Sequence, residues 1–243
     1  MILTGMILSV AALYAAVGQA GASGYLAVMG VAGIDPGVMR PTALLLNLLV
    51  AGIGTVRFTR TGLFRWSTFY PFGILALPFS FLGGLVHLPS RFYYPLVGAV
   101  LLLAGAELFR STWSAKGTHG TSIAPPPFFP ALASGAFIGF LSGVTGTGGG
   151  ILLAPLILLT GWVETRQAAA VTAAFNLLNS GAALAGTWAT MPVLPSALSL
   201  WLAAAGLGGA VGAWLGSRHL PTATLRYLLS ALLAISGAKM LAS

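Results

Sequence analysis

Gly143-Val144-Thr145-Gly146-Thr147-Gly148-Gly149-Gly150 places five glycines in eight residues between two strongly apolar stretches. A related run, Gly18-Gln19-Ala20-Gly21-Ala22-Ser23-Gly24, stands 125 positions earlier. Glycine is the costliest residue in a helix interior after proline, so a cluster of it inside sequence of membrane-grade hydrophobicity predicts a helix that unwinds and restarts. Unwound backbone at membrane depth must be buried in protein or line a cavity, because lipid offers it no hydrogen bonds. The duplicated break is where function is expected.

The chain around these breaks is 57% hydrophobic and 6% charged, with a positive mean hydropathy. An ordinary soluble domain carries about a quarter charged residues, so the sequence reads as an all-α polytopic membrane protein with the lipid bilayer as its surroundings. Eleven Lys and Arg against three acids give a net charge of +8. The cations are spread over loops with no basic run, which points to membrane orientation and excludes nucleic acid as a partner. Cysteine is absent, which excludes disulfides, thiolate metal sites and cysteine nucleophiles. His87, His119 and His219 are scattered without metal-ligand spacing, and neither a Ser-His-acid arrangement nor a Gly-Lys-Ser/Thr phosphate loop occurs. No enzyme activity, metal or cofactor is expected. No Lys or Arg precedes Arg40, so a cleaved signal peptide is not expected and the first segment is read as retained.

Apolar segments run over 2–34, 41–56, 66–86, 92–109, 128–162, 167–188, 194–216 and 222–241, each near or above the ~20 residues a spanning helix needs. They divide four and four about a polar stretch ending Pro125-Pro126-Pro127. The expected organisation is a first transmembrane repeat over 1–110, a linker over 111–127 and a second repeat over 128–243. Gly18, Gly21, Gly24 and Leu82-Gly83-Gly84 recur as Gly143, Gly146, Gly149 and Leu207-Gly208-Gly209, while Asn47-Leu48-Leu49 and Gly52 recur as Asn176-Leu177-Leu178 and Gly181. Two matching halves with interrupted helices are the sequence pointer to a transporter built from repeats.

Segments 2–34 and 128–162 are too long for one crossing, yet arms of about 15 residues on either side of the glycines reach only ~22 Å, short of the ~30 Å hydrocarbon core. Each is expected to be a broken or re-entrant first segment. A re-entrant hairpin leaves three further crossings per half, an odd number, which inverts the repeats relative to each other. Under that topology Arg57, Arg60, Arg65, Arg110, Lys116, Arg166, Arg218 and Arg226 gather on one side, against Arg40, Arg91 and Lys239 on the other. Eight simple crossings divide the same cations six to five. The positive-inside rule prefers the hairpins, with both termini outside.

The membrane interior is nearly free of ionisable groups, which argues against a cation carrier or proton relay. Asp35 and Glu164 lie at loops, Glu107 pairs with Arg110 near a segment end, and no cationic side chain is expected at the depth of the breaks. Half-helices restarting at the breaks would instead aim free amides and positive dipole ends at the midplane, making an anion site without a buried cation. Gly83-Gly84 and Gly208-Gly209 read as close helix packing instead. The candidate site in the second half is Thr145, Gly146, Thr147, Gly148, Gly149 and Gly150, with Thr172, Asn176 and Asn179 on one face of the next helix. In the first half it is Gln19, Gly21, Ser23, Gly24 and Asn47. The Asn and Thr residues could equally hydrogen-bond between helices without touching substrate.

The run 143–150 followed by Pro155 and the alanine-rich stretch into Thr172, together with 18–29 and Asn47-Leu-Leu-Val-Ala-Gly52, resembles the sulfite exporter TauE/SafE family over essentially the whole chain. The resemblance implies a bacterial inner-membrane secondary transporter of sulfite, sulfoacetate or a related organosulfur anion. Where the family often has a triple glycine in both halves, the first half here reads Ala22-Ser23-Gly24, a departure that bears on the equivalence of the two anion-facing ends; Thr42 and Asn47, five apart and not on one face, are what predict an asymmetric site. The expected partner is a small sulfur-containing anion. Neither a coupling ion, proton or sodium, nor an oligomeric state is specified. An anion channel and a non-transporting membrane scaffold are the alternative readings.

Overall fold

The computed structural model describes residues 2–16, 19–114, 125–163, 165–188, 194–216 and 222–242. Gly18, Lys116, His119, Glu164, Arg218, His219 and most of the linker lie outside them. The described residues form ten helices and no strand: α1 (Ile2–Ala16), α2 (Ala22–Val31), α3 (Pro36–Arg60), α4 (Trp66–Leu85), α5 (Ser90–Ser114), α6 (Phe128–Thr145), α7 (Gly150–Leu159), α8 (Thr165–Thr187), α9 (Leu198–Gly216) and α10 (Thr222–Leu241). Of these, α3, α4, α5, α6 and α8 are long and apolar enough to cross a bilayer.

Both glycine clusters interrupt a helix, but their arms are not the equal lengths expected from sequence. The leading arms α1 and α6 have 15 and 18 residues and the trailing arms α2 and α7 have 10 each, so α6 reaches ~27 Å while α7 covers only ~15 Å. The trailing arms are short because a second glycine stops each one. After α2 the Ile34 amide donates to the Met29 carbonyl around left-handed Gly33, and after α7 the Trp162 amide donates to the Ile157 carbonyl around left-handed Gly161. The next helix of the first half then starts on a cap, with the Asp35 carboxylate accepting from the Gly37 amide at 2.8 Å and Pro36 in the first turn.

The halves exchange packing partners. On α6, Gly135, Gly139 and Gly143 lie against the carbonyls of Phe72, Ala76 and Ser80 of α4, in steps of four along both helices, so α4 and α6 run in the same direction. On α9, Gly208 and Gly212 lie against the carbonyls of Leu8 and Ala12, so α1 and α9 also run in the same direction. Each half thus lays its α4 or α9 along the leading arm of the other. Gly83, Gly84 and Gly208 serve this close packing, as their sequence context implied, and a methyl on any of them would strike a backbone carbonyl of a neighbouring helix. By contrast Asn47, Gly52 and Gly54 of α3 meet Ser180, Leu177 and Ala173 of α8 in reverse order, so these two helices are antiparallel. The pair α5 and α10 is antiparallel as well, with Gly98 against Gly237 and Gly105 against the Ser230 carbonyl. The Ser80 hydroxyl donates to the Asn179 carbonyl and Gly84 meets Ala183, which sets α8 alongside α4 in the same sense.

One apolar core joins α2 to α1, α3, α5, α9 and α10, and another joins α7 to α4, α6 and α8. These two cores bring both trailing arms inside the bundle. Their first residues consequently lie beside the middles of α3 and α8.

Candidate functional site

A helix that starts inside a protein leaves several amides without partners unless a side chain supplies an acceptor. Here that acceptor comes from another helix in both halves. The Asn47 side-chain oxygen, midway along α3, accepts from the Ala22 amide at the start of α2 at 2.9 Å. The Asn176 oxygen, midway along α8, accepts from the Gly150 amide at the start of α7 at 2.8 Å. The two asparagines that match in sequence therefore play the same part, a tertiary cap on the trailing arm of their own half. Gly21 precedes the first capped amide and Gly149 the second, an offset of 128 that differs from the 125 of the glycine pattern; the structure aligns the restarts and not the glycines.

The breaks also meet. The Asn47 side-chain nitrogen donates to the Ser180 hydroxyl at 2.7 Å, and it lies where a methyl on Gly148 would be, next to the Asn176 oxygen. One side chain thus touches the first break with its oxygen and the second with its nitrogen.

At the second break the backbone is left-handed at Gly146, Gly148 and Gly149, with φ of 81°, 76° and 79°. Only glycine adopts this without strain, which explains the composition of the motif. Among the described residues the amides of Gly148, Gly149 and Ile151 donate to no protein group. The side chain of Asn179 is fully buried with neither its nitrogen nor its oxygen paired, and that nitrogen lies 3.0 Å from where a methyl on Gly149 would sit. The hydroxyls of Thr172 and Ser142 are likewise buried without partners. Buried polar groups are nearly always paired, so a group of donors left open at a helix N-terminus has the chemistry of an anion site. Thr145 and Thr147 are partly self-satisfied: their hydroxyls lie 3.0 Å apart, and that of Thr145 donates to the Leu141 carbonyl.

The first break is filled by its own side chains. Tyr14 and Ser23 share a hydrogen bond of 3.0 Å, and the Tyr25 hydroxyl donates to the Ala20 carbonyl at 3.2 Å. A methyl on Gly24 would meet Val10 at 2.5 Å and the Tyr14 ring at 2.6 Å, while one on Gly21 would meet the Tyr25 ring. Gly21 is the one left-handed glycine there among the described residues. Gln19 is half-buried beside this plug. Of the first-half candidates, the structure brings Asn47 to the second break and leaves Gly21, Ser23 and Gly24 packed against tyrosines.

One expectation is corrected. Arg40 is not a loop cation: it is buried on α3, its side chain packs against Gly146, and its guanidinium donates to the carbonyls of Val86 at 2.6 Å, Gly83 at 2.8 Å and Gly84 at 2.6 Å. The end of α4 stops here, and its last carbonyls, of which that of Gly83 also accepts from the Val86 amide at 3.2 Å, draw the cation inward. The Tyr93 hydroxyl adds a bond to the Thr145 carbonyl at 2.8 Å, fixing α5 to the rim of the break. Arg40 stands seven residues before Asn47 on the same face of α3, but its spacing does not reveal the α4 carbonyls that bind it. Tyr93, some 50 residues distant from both, had no signal in the sequence. The Glu107–Arg110 pair is an exposed boundary bridge at 2.9 Å, as its spacing implied.

Half-helices that end on a shared polar centre, within a bundle of apolar spanning helices, define a multi-pass helical membrane protein. The family model described as sulfite exporter TauE/SafE matches residues 2–240. The probable membrane transporter protein y4hK of Sinorhizobium fredii (strain NBRC 101917 / NGR234) is 49% identical over 232 residues, covering 96% of this chain and 94% of the relative. The chain belongs to the sulfite exporter TauE/SafE family and is a membrane transporter. No solved structure matches it.

Proposed function

We propose that this protein is a secondary carrier that exports sulfite or a related small organosulfur anion across the bacterial inner membrane. The observation that carries the reading is the convergence of two capped half-helix starts on Asn47, with the amides of Gly148, Gly149 and Ile151 and the Asn179 amide group left open beside them. Oriented donors and a helix dipole favour a small oxyanion; the family name agrees with that chemistry, and the relative's name with transport. Ligands are Gly148, Gly149, Thr172 and Asn179, with Asn47 and Asn176 holding the half-helices that aim the amides.

The helix directions support inverted repeats. Because α6 and α8 both run alongside α4, α7 returns the chain between them, which supports a re-entrant hairpin over 128–162. The exchanged pairing of α1 with α9 supports the same for 2–34, and the antiparallel pairs α3–α8 and α5–α10 are in keeping with halves related by inversion. Both termini then lie on the periplasmic side. The burial of Arg40 strengthens this orientation, since it removes one of the three cations counted outside and leaves Arg91 and Lys239 against the cytoplasmic group. Alternating access follows from motion of one repeat against the other about the shared centre.

The test is uptake of labelled sulfite into proteoliposomes by wild-type and Gly149→Ala protein. A methyl there must adopt a left-handed backbone at about 1–2 kcal/mol and would press on Phe175 at 2.9 Å and Asn179 at 3.0 Å. Saturable uptake with exchange across the membrane, lost in folded Gly149→Ala, is the expected result. Wild-type rates in the variant would move the site elsewhere, and ohmic conductance by the wild-type protein would make it a channel.

A further inference from the structure

Arg40 is the one buried cation among the residues whose side chains are described, and no described carboxylate pairs with it. The described acids are occupied elsewhere, Asp35 in capping α3 and Glu107 in pairing with Arg110. Three carbonyls at the end of α4 accept from its terminal nitrogens, while its Nε has no partner. The carboxyl end of a helix carries roughly half a negative charge, which leaves a net positive charge inside the bundle. The aliphatic part of this side chain lies 3.0 Å from the position of a methyl on Gly146, two residues before the open amides of Gly148 and Gly149. At the 129-residue offset that relates Asn47 to Asn176, the second-half counterpart of Arg40 is Ala169. The charge is thus a property of the second break alone.

We propose that Arg40 is the charge-selectivity determinant of the anion site, favouring a divalent oxyanion over a monovalent one of similar size. This rests on the oxyanion reading above. Hydrogen-bond donors such as amides, Thr172 and Asn179 recognise sulfonate and sulfite oxygens alike. A fixed net charge in a low-dielectric interior discriminates between them, because its attraction scales with the charge of the ligand. Arg40 does this from behind Gly146 as a positioning and electrostatic residue, its terminal nitrogens remaining on α4.

Competition binding of sulfate and methanesulfonate to purified wild-type, Arg40→Met and Arg40→Lys protein tests this. In Arg40→Met the sulfate affinity is expected to fall about tenfold and the methanesulfonate affinity about threefold, the same effect per unit of ligand charge. A purely structural role would weaken both anions by one factor, and that result, or no change in either, would overturn the proposal. Arg40→Lys keeps the charge but cannot span three carbonyls, so it should melt at lower temperature while preserving the sulfate-to-methanesulfonate ratio. If Arg40→Met does not fold, Arg40→Gln decides, since it removes the charge but keeps a donor for the α4 carbonyls: a sulfate-to-methanesulfonate ratio lowered about threefold supports the proposal and a preserved ratio overturns it. Failure of wild-type protein to bind either anion would remove the oxyanion reading and this inference together, whereas an unchanged ratio in Arg40→Met removes the inference alone.

Discussion

The two breaks begin the same way and end differently. In each, a half-helix of 10 residues starts on an amide capped by an asparagine from the middle of the following spanning helix. At the first break the space around the turn is taken by the rings of Tyr14 and Tyr25 and by Ser23, hydrogen-bonded among themselves and to backbone. At the second, left-handed glycines let the side chains of Asn47, Phe175 and Asn179 approach the backbone closely, the side chain of Asn179 has no hydrogen-bond partner, and a buried cation packs behind. The two breaks differ in how their polar side chains are satisfied, Tyr14 and Ser23 pairing with each other at the first while Asn179 pairs with nothing at the second, and the proposed single site rests on that difference.

The shared scaffold gives the largest expected effect. Asn47→Leu leaves the Ala22 amide and the Ser180 hydroxyl unpaired in the interior, at about 1–3 kcal/mol for each, and frees the contact between the breaks. Asn176→Leu removes one cap, worth about 1–2 kcal/mol. Thermal melts in detergent should rank Asn47→Leu well below Asn176→Leu and both below wild type. Equal losses would mean that Asn47 does no more than cap α2 and that the breaks are not joined through it.

Asn179→Leu sharpens the difference between the breaks. Asn179 has no side-chain hydrogen bond to lose, so an apolar residue of similar size should fold with stability within about 0.5 kcal/mol of wild type or better. If its amide group meets the anion, sulfite affinity should fall about tenfold, the equivalent of ~1.4 kcal/mol for hydrogen bonds to a charged ligand. Clear destabilisation without loss of affinity would show that Asn179 is held by protein partners and that the second break is as closed as the first.

Much of this was legible because glycine clusters, segment lengths and matched asparagines are local signals. The interruptions at both runs follow from helix energetics, and the packing role of Gly83 and Gly208 from small residues on apolar helices. The role of Asn47 and Asn176 was narrowed to two options, substrate contact or interhelical bonding, and choosing needed the distance to amides 25 and 26 residues away. Arg40 was misplaced because a cation at the start of an apolar segment ordinarily snorkels to the interface. What pulls it inward is the exposed end of α4, a backbone feature that no residue type announces. The plug at the first break was invisible for a related reason: Tyr14 lies in an apolar run where an aromatic ring is unremarkable, and only the fold brings it onto Ser23.

That plug supplies the smallest expected effect and the cleanest control. Tyr14→Phe keeps the ring that covers Gly24 and removes only the hydroxyl bonded to Ser23 at 3.0 Å. Loss of one buried neutral hydrogen bond costs about 1 kcal/mol, here in part because the Ser23 hydroxyl is left without its tyrosine partner. If the first break is structural, the variant should melt slightly lower while sulfite affinity and the maximal transport rate stay at wild-type values. The comparison with Asn179→Leu is then a double dissociation, stability lost at one break and affinity at the other. A change in sulfite affinity in Tyr14→Phe as large as that in Asn179→Leu would mean that the first break opens during the transport cycle and takes substrate in turn, and the single-site asymmetry would give way to two sites used in alternation.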